Sequence, residues 1–190
     1  MQPFVTLDSQ YFECNGTMQS CTAAVHFSDW GDSTALASSV SHCDQVGEYQ
    51  PGSFFLRELP SLLKALQELS FKPALVVIDG YVQLGERPGL GWHLHQALEQ
   101  SCPVIGVAKN PFRSDNEPFG LAVQRGESNR AIYVTSIGLD DPQKAARWIK
   151  SMHGPFRIPT LLKLADRLAR EAVLRLCQSQ TACETAPQSA

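Results

Sequence analysis

No stretch of this chain is apolar enough to cross a membrane. The longest unbroken apolar run in its 190 residues, Ala74 to Ile78, is far short of the ~20 a spanning helix needs. No charged segment followed by an apolar stretch opens the sequence, so no secretory leader is expected. The six cysteines include no Cys-x-x-Cys pair, and no histidine stands at zinc-finger spacing from them, which argues against a structural zinc. A disulfide framework is equally unexpected in a chain long enough to bury its own core, so reduced thiols in a cytoplasmic protein are the favoured reading. What remains is ordinary globular composition, 43% apolar and 18% charged, with the length of one domain.

Charge is unevenly spread. Residues 1–100 hold four Lys/Arg against eleven Asp/Glu, and residues 101–190 hold twelve against eight. An acidic half joined to a basic half is compatible with an anion gripped by the second and metal-binding carboxylates in the first, or with charges scattered over solvated faces. Local pattern gives two opening strands, near 3–12 and 22–27, linked by a turn at Asn15-Gly16. A loop over 28–47 follows, with one short strand around Ala35–Val40. Phe55, Leu59, Leu62, Leu63, Leu66 and Leu69 recur at spacings of three and four and predict an amphipathic helix.

Lys72-Pro73 ends that helix, and the β-branched run 74–78 reads as a buried parallel strand. A glycine-rich loop (80–91), a helix near 92–100 and a second buried strand, Val104–Val107, continue the alternation of an α/β sheet covered on both faces. An antiparallel pair at 119–124 and 131–136 follows, joined by the polar turn Arg125–Arg130. Then come a helix at Asp141–Met152, capped by Asp140 or Asp141 with Pro142 in its first turn, and a helix at Pro159–Cys177. The domain is drawn as 1–178, and the small, polar residues 179–190 read as a disordered tail.

Three acids stand where chemistry collects. Asp8 lies on the first strand among apolar residues, Asp79 directly follows the buried run, and Glu58 opens the amphipathic helix. Functional groups gather beyond the carboxyl ends of parallel strands. Carboxylates brought together there repel one another and call for hard cations, which clamp a phosphodiester during attack by water. Taken singly, each acid also fits a bland role: a turn residue, a first-turn charge, a solvated strand end. Arg157, Lys163, Arg167 and Arg170 form a basic helix entry that fits either a phosphate track or a solvated face. His93 and His95, two apart on a helix, share no face, His153 reads as surface, and Trp92 and Trp148 read as core or interface.

The ordered motifs resemble the endonuclease V family, nucleases that incise nucleic acid near deaminated adenine (inosine). Tyr49-Gln50-Pro51-Gly52 with Leu56-Arg57-Glu58 is similar to the family's Pro-Tyr-Ile-Pro-Gly wedge and Phe-Arg-Glu. Lys72-Pro73 through Ile78-Asp79-Gly80 is similar to its Lys-Pro-Asp strand ending in Asp-Gly. Gly89-Leu90-Gly91-Trp92-His93-Leu94 resembles its Gly-Leu-Ala-Ser-His-Leu, and Pro103 to Lys109 resembles its Pro-Thr-Ile-Gly-Val-Ala-Lys. Ile132 to Thr135, Arg157 to Pro159 and Leu164 to Asp166 match in order downstream.

The resemblance implies a ribonuclease-H-like mixed sheet flanked by helices and a Mg²⁺-dependent phosphodiesterase, with Mn²⁺ as substitute, acting on DNA or RNA in repair. By that resemblance Asp8, Glu58 and Asp79 are the metal ligands and Lys109 steadies charge on the scissile phosphate. Tyr49 sits on the strand-parting wedge, with Gly52, Gly80 and Phe112 among the substrate-binding residues. Two departures carry expectations of their own. Val82 stands where the family has a glycine, in a loop one residue shorter, so a β-branched side chain is expected to obstruct the base and weaken discrimination for inosine. Ile137-Gly138-Leu139 replaces the family's Pro-Gly-His, and Glu48 and Gln50 replace Pro and Ile in the wedge. Two rival readings stay open. One is a nucleic-acid-binding relative without efficient cleavage, the other a structural domain in which the acids do no chemistry.

Overall fold

The computed structural model describes residues 3–47, 54–114 and 117–184. Strands β1 (Phe4–Cys14) and β2 (Thr17–Phe27) form a long hairpin whose turn residues Asn15 and Gly16 both take positive φ, as a two-residue loop between right-twisted strands requires. Strand β3 (Ala37–Cys43) lies along β2, further on than the segment predicted from sequence. Helix α1 (Phe54–Gln67) leads into β4 (Leu75–Asp79), which pairs in parallel with β1. The glycine-rich segment is not an open loop: β5 (Gln83–Leu84) and β6 (Arg87–Pro88) close a small ribbon around Gly85 before α2 (Leu90–Ala97) begins.

Strand β7 (Val104–Ala108) pairs in parallel with β4. A second ribbon, β8 (Arg113–Ser114) with β9 (Glu117–Pro118), precedes the antiparallel strands β10 (Leu121–Val123) and β11 (Ile132–Ile137). Helices α3 (Pro142–Ser151) and α4 (Thr160–Glu184) end the described chain. Asp141 caps α3 by accepting from the Gln143 N–H at 2.8 Å, with Pro142 in the first turn. Helix α4 runs seven residues past Cys177, so residues 179–184 are helical and not part of a disordered tail; residues 185–190 lie outside the described residues. No described helix is long and apolar enough to cross a membrane.

The main sheet has the order β10-β11-β7-β4-β1-β2-β3, with the parallel trio β1, β4 and β7 near its centre. Side chains alternate across it. Val25, Phe27, Val77, Ile105 and Val107 pack with Ile149, Leu161, Ala165 and Ala169 of α3 and α4 on one face. Leu7, Val76, Ile78 and Val104 pack with Leu62, Leu66 and Leu94 of α1 and α2 on the other. The short side chains of Ala165 and Ala169, one turn apart and fully buried, let α4 lie close against β1 and β2. Trp148 of α3 stacks on Trp30 with centroids 5.0 Å apart, so it belongs to the core.

Arg125, which the sequence places in a polar turn, is 5% exposed. Its guanidinium donates to the carbonyls of Lys150, Met152, Phe156 and Arg157, pinning the end of α3 and the link to α4 onto the sheet. Removing the guanidinium takes one buried donor group from four carbonyls at once. Arg125→Met is therefore expected to lower the unfolding free energy by about 2–4 kcal/mol, read from urea denaturation. An unchanged midpoint and slope would mean that water replaces the guanidinium at no cost.

Candidate active site

The β1–β4 ladder fixes the site. Leu7 pairs with Ile78, so the next residues along the two parallel strands, Asp8 and Asp79, stand side by side. Neighbouring strands lie ~4.8 Å apart, and residues level with one another point to the same face, here the α4 face. Strand β7 adds the third member: Asp79 pairs with Val107, and Lys109, two residues on, points the same way. Lys109 Nζ meets Asp79 Oδ2 at 2.5 Å. Glu58 comes from α1, whose Leu62 and Leu66 pack on the opposite face of the sheet, and lies near enough to Asp79 to feel its charge. A cleft of about 270 Å³ is lined by Asp8, Glu58, Asp79, Lys109, Asp166 and Arg170, among others.

Sequence reading did not single out Asp166 as a site residue. It projects from α4 into the same cleft and into a hollow of about 160 Å³ beneath the helix that also touches Asp8, Asp79 and Lys109. Arg170 holds both Asp166 oxygens, at 3.0 and 2.9 Å, and Gln10 donates to one of them at 3.3 Å. The available signal was the i, i+4 pair Asp166–Arg170 on a helix entry already noted as basic. Of the other three basic residues, Lys163 lies over the Phe156 ring at 3.6 Å and Arg167 faces Glu171, while Arg157 is turned onto backbone carbonyls.

Burial and like charge together load this cleft. The Asp8 carboxyl is pushed up to about 7, first by its burial and then by the charge of Asp79, with Asp166 adding and Lys109 opposing. Glu58 is raised by burial and then by Asp79, against the pull of Arg57. For Lys109, burial works to discharge the ammonium, but the hydrogen bond and charge of Asp79, with Asp8 and Asp166 behind it, carry its pKa above the ordinary lysine value. Among the described residues, no three His, Cys, Asp or Glu side chains stand close enough to close round one ion. The donors are nonetheless all carboxylates, the set that suits a hard cation, and they line a cleft short of positive charge.

Beside Glu58 lies a slot of about 150 Å³ walled by Phe55, Tyr81, Leu84 and Pro88, with Gly80 and Gly89 exposing backbone to it. Gly80 has φ of +127°, which L side chains rarely adopt, while nothing stands within 4 Å of where its Cβ would be. Its conformation, not crowding, selects glycine. His93 stacks on Phe55 at 3.5 Å. Phe112 acts on the slot through Tyr81: its N–H donates to Tyr81 Oη at 2.8 Å, and that hydroxyl donates to the Asn110 carbonyl at 2.8 Å. His95 is buried with Nδ1 on the Cys102 carbonyl at 2.9 Å, and His153 sits at the surface against Thr160. Tyr49 and Gly52 lie outside the described residues.

The structure places Val82 away from the slot that its side chain was expected to obstruct. Its side chain is 1% exposed and packs inward with Ile78 and Leu94, over Gly91, where an added Cβ would meet Val82 Cγ2 at 2.7 Å. It does not stand in the slot. The ribbon that follows turns the backbone so that Tyr81 faces the slot and Val82 faces the core.

A parallel trio within a mixed sheet, helices on both faces and acids gathered at the trio's carboxyl ends make up the ribonuclease-H-like fold. The profile of the endonuclease V family matches residues 2–167. The endonuclease V of Nocardia farcinica is 28% identical over 183 residues, covering 88% of this chain and 79% of its own length. That of Streptomyces avermitilis is 32% identical over 161 residues, covering 73% and 69%. The crystal structure of the S. avermitilis protein superposes with a TM-score of 0.75 at 26% identity, covering 92% of this chain and 82% of that one. The Ciona intestinalis endonuclease V, solved with a 24mer DNA containing an inosine followed by a ribo-adenosine, shares the fold with a TM-score of 0.72 at 18% identity, covering 92% and 87%. This chain belongs to the endonuclease V family.

Two outcomes test the site as built. An acid with a raised folded pKa is stabilising in its protonated form, so the contribution is whole below about 3.8 and is lost as pH rises to about 7. In EDTA, the stability of the wild type relative to Asp8→Asn is expected to fall by roughly a few kcal/mol between pH 4 and 7.5. A flat difference in pH-dependent denaturation would contradict the placement of Asp8. Val82→Gly is expected to lower stability by about 2–4 kcal/mol through the cavity and the freed backbone. Wild-type stability of Val82→Gly in urea denaturation would contradict the inward packing of this side chain.

Proposed function

We propose that this chain is a divalent-cation-dependent endonuclease that cuts a phosphodiester near an inosine in DNA or RNA, with Mg²⁺ as the cation and Mn²⁺ as a substitute, in nucleic-acid repair in the cytoplasm. One observation carries the reading: the β1–β4 register sets Asp8 beside Asp79 at the mouth of a cleft that Glu58 enters from the other face of the sheet. Asp8, Glu58 and Asp79 would hold the cation, which when bound supplies an activated water and neutralises charge on the phosphate. Asp166 lines the same cleft and adds a fourth hard donor. Family membership supports the nuclease chemistry, and the Ciona protein's DNA complex supports inosine as the base.

The chain's own residues divide the work. Lys109 holds its ammonium against Asp79 at 2.5 Å, on the border of the acidic cleft, where it would offset charge that grows on a bound phosphate as the bond breaks. The slot beside Glu58 takes the extruded base between apolar walls, with the bare backbone of Gly80 and Gly89 against the ring edge. Tyr81 forms part of that wall and is fixed by its two hydrogen bonds to the 110–112 segment. The family resemblance assigns Tyr49 to the wedge that parts the strands and Gly52, with Gly80, to the binding of the extruded base.

Incubation of inosine-bearing and control DNA and RNA oligonucleotides with Mg²⁺ or Mn²⁺ tests this reading. Cuts near inosine are expected with either ion, and none in EDTA. Asp79→Asn should abolish cleavage while keeping the melting temperature within a few degrees and most of the affinity measured in EDTA, because the exposed amide removes a ligand and a charge but little packing. Full cleavage by a well-folded Asp79→Asn protein would remove the site from the chemistry.

A further inference from the structure

We propose that the cleft on the far side of Lys109, between the ends of β7 and β11 and the turn that joins β10 to β11, is a subsite for uncut phosphates of the nucleic-acid strand. The inference rests on the nuclease reading and extends it beyond the scissile bond. The cleft has a volume of about 430 Å³, and Lys109, Gln124, Asn129, Arg130, Tyr133 and Arg157 line it. No carboxylate lines it among the described residues, whereas four line the cleft on the other side of Lys109. Neither Arg130 nor Arg157 forms an ion pair among the described residues, unlike the helix arginines Arg147, Arg167, Arg170 and Arg175; Arg57, Arg87 and Arg125, outside the cleft, form none either.

The two sides differ in what a phosphate would need from them. A diester that is to be cut needs groups able to generate and place a nucleophile, which carboxylates supply through a cation. Diesters that are only held need fixed positive charge and neutral donors, and this cleft offers both. Arg157 is locked in place: its Nη2 donates to the Ala131 carbonyl at 2.8 Å and to the Lys109 carbonyl, so its charge is tied to the backbone of the proposed catalytic lysine. Gln124 and Asn129 are exposed amides, suited to phosphate and sugar oxygens and blind to base identity.

Register gives the path. Ala108 pairs with Tyr133 and Val123 with Ile132, so the cleft follows the sheet edge outward from β7 across β11 to β10. At ~4.8 Å per strand its far wall lies roughly 14 Å from Asp79, room for a few nucleotides. The strand entering the acidic cleft would cross Lys109 and continue over Arg130.

Arg130→Ala is the test, since the side chain is exposed and the turn is held by backbone bonds to Ser128 Oγ that the substitution leaves alone. Arg147→Ala, an exposed arginine on α3 outside this cleft, serves as the charge-matched control. Affinity for fluorescein-labelled single strands, with and without inosine, is measured by anisotropy in EDTA from 50 to 200 mM KCl, with circular dichroism melts to confirm folding. Arg130→Ala should weaken binding about 3–10-fold, equally on both strands, and reduce the log–log salt slope by about 0.7, while Arg147→Ala matches wild type. Wild-type affinity and slope in Arg130→Ala would overturn the subsite and leave the nuclease reading standing. Loss confined to the inosine strand would mean a base contact, and equal losses in both variants a diffuse charge effect; either rejects the subsite. A wild type that binds neither strand would reject both readings.

Discussion

Everything at the site follows from two like charges set side by side. The parallel pairing of β1 with β4 leaves Asp8 and Asp79 level on adjacent strands, partly shielded from water. Unit charges about 5 Å apart at an effective dielectric of 20 repel by about 3 kcal/mol. The fold cannot relieve this by moving either residue, because both strands are locked into the buried centre of the sheet on both faces. It answers with protonation of Asp8, whose carboxyl is lifted to about 7, and with the ammonium of Lys109 against Asp79. A cation held between them, as proposed, would answer more completely, and Glu58 and Asp166 line the same cleft.

Each layer of the molecule contributes one part of that answer. Helix α1 brings Glu58 round from one face, and α4 brings Asp166 from the other. The link between α3 and α4 is held by Arg125, and the next arginine along it, Arg157, reaches the carbonyls of Lys109 and Ala131. Core packing, a buried cation and the site are thus joined through one short connection. Arg157 of that connection lines the cleft on the far side of Lys109, and Lys109 itself lines both that cleft and the acidic one.

Much of this was legible from sequence where a physical rule acts locally. The runs 74–78 and 104–107 are β-branched and bounded by proline and glycine, and they are the buried parallel strands β4 and β7. The three-and-four spacing of leucines after residue 54 gave α1, and Asp141-Pro142 gave the start of α3. Asp8, Glu58 and Asp79 were each picked out by position, and the structure sets all three on one cleft. What failed depended on contacts distant in sequence. Val82 read as a loop residue because nothing nearby reveals that Gly91 leaves a hole for it. Arg125 read as a turn residue because its four carbonyl partners lie 25–32 positions away. Asp166 read only as the end of a matching motif and not as a site residue, since only the packing of α4 across β1 turns it toward the acids, and the polar residues 179–184 concealed the helix that continues through them.

Counting bound Mn²⁺ by electron paramagnetic resonance, in the purified chain and in its Asp8→Asn, Glu58→Gln and Asp79→Asn variants, reads the meeting of these carboxylates directly and without nucleic acid. The wild type should take up the ion saturably, and each single variant should bind it at least about tenfold more weakly, as loss of one hard ligand from a shared site requires. Equal uptake by wild type and all three variants, or no saturable uptake by any of them, would contradict a cation site at the paired strand ends.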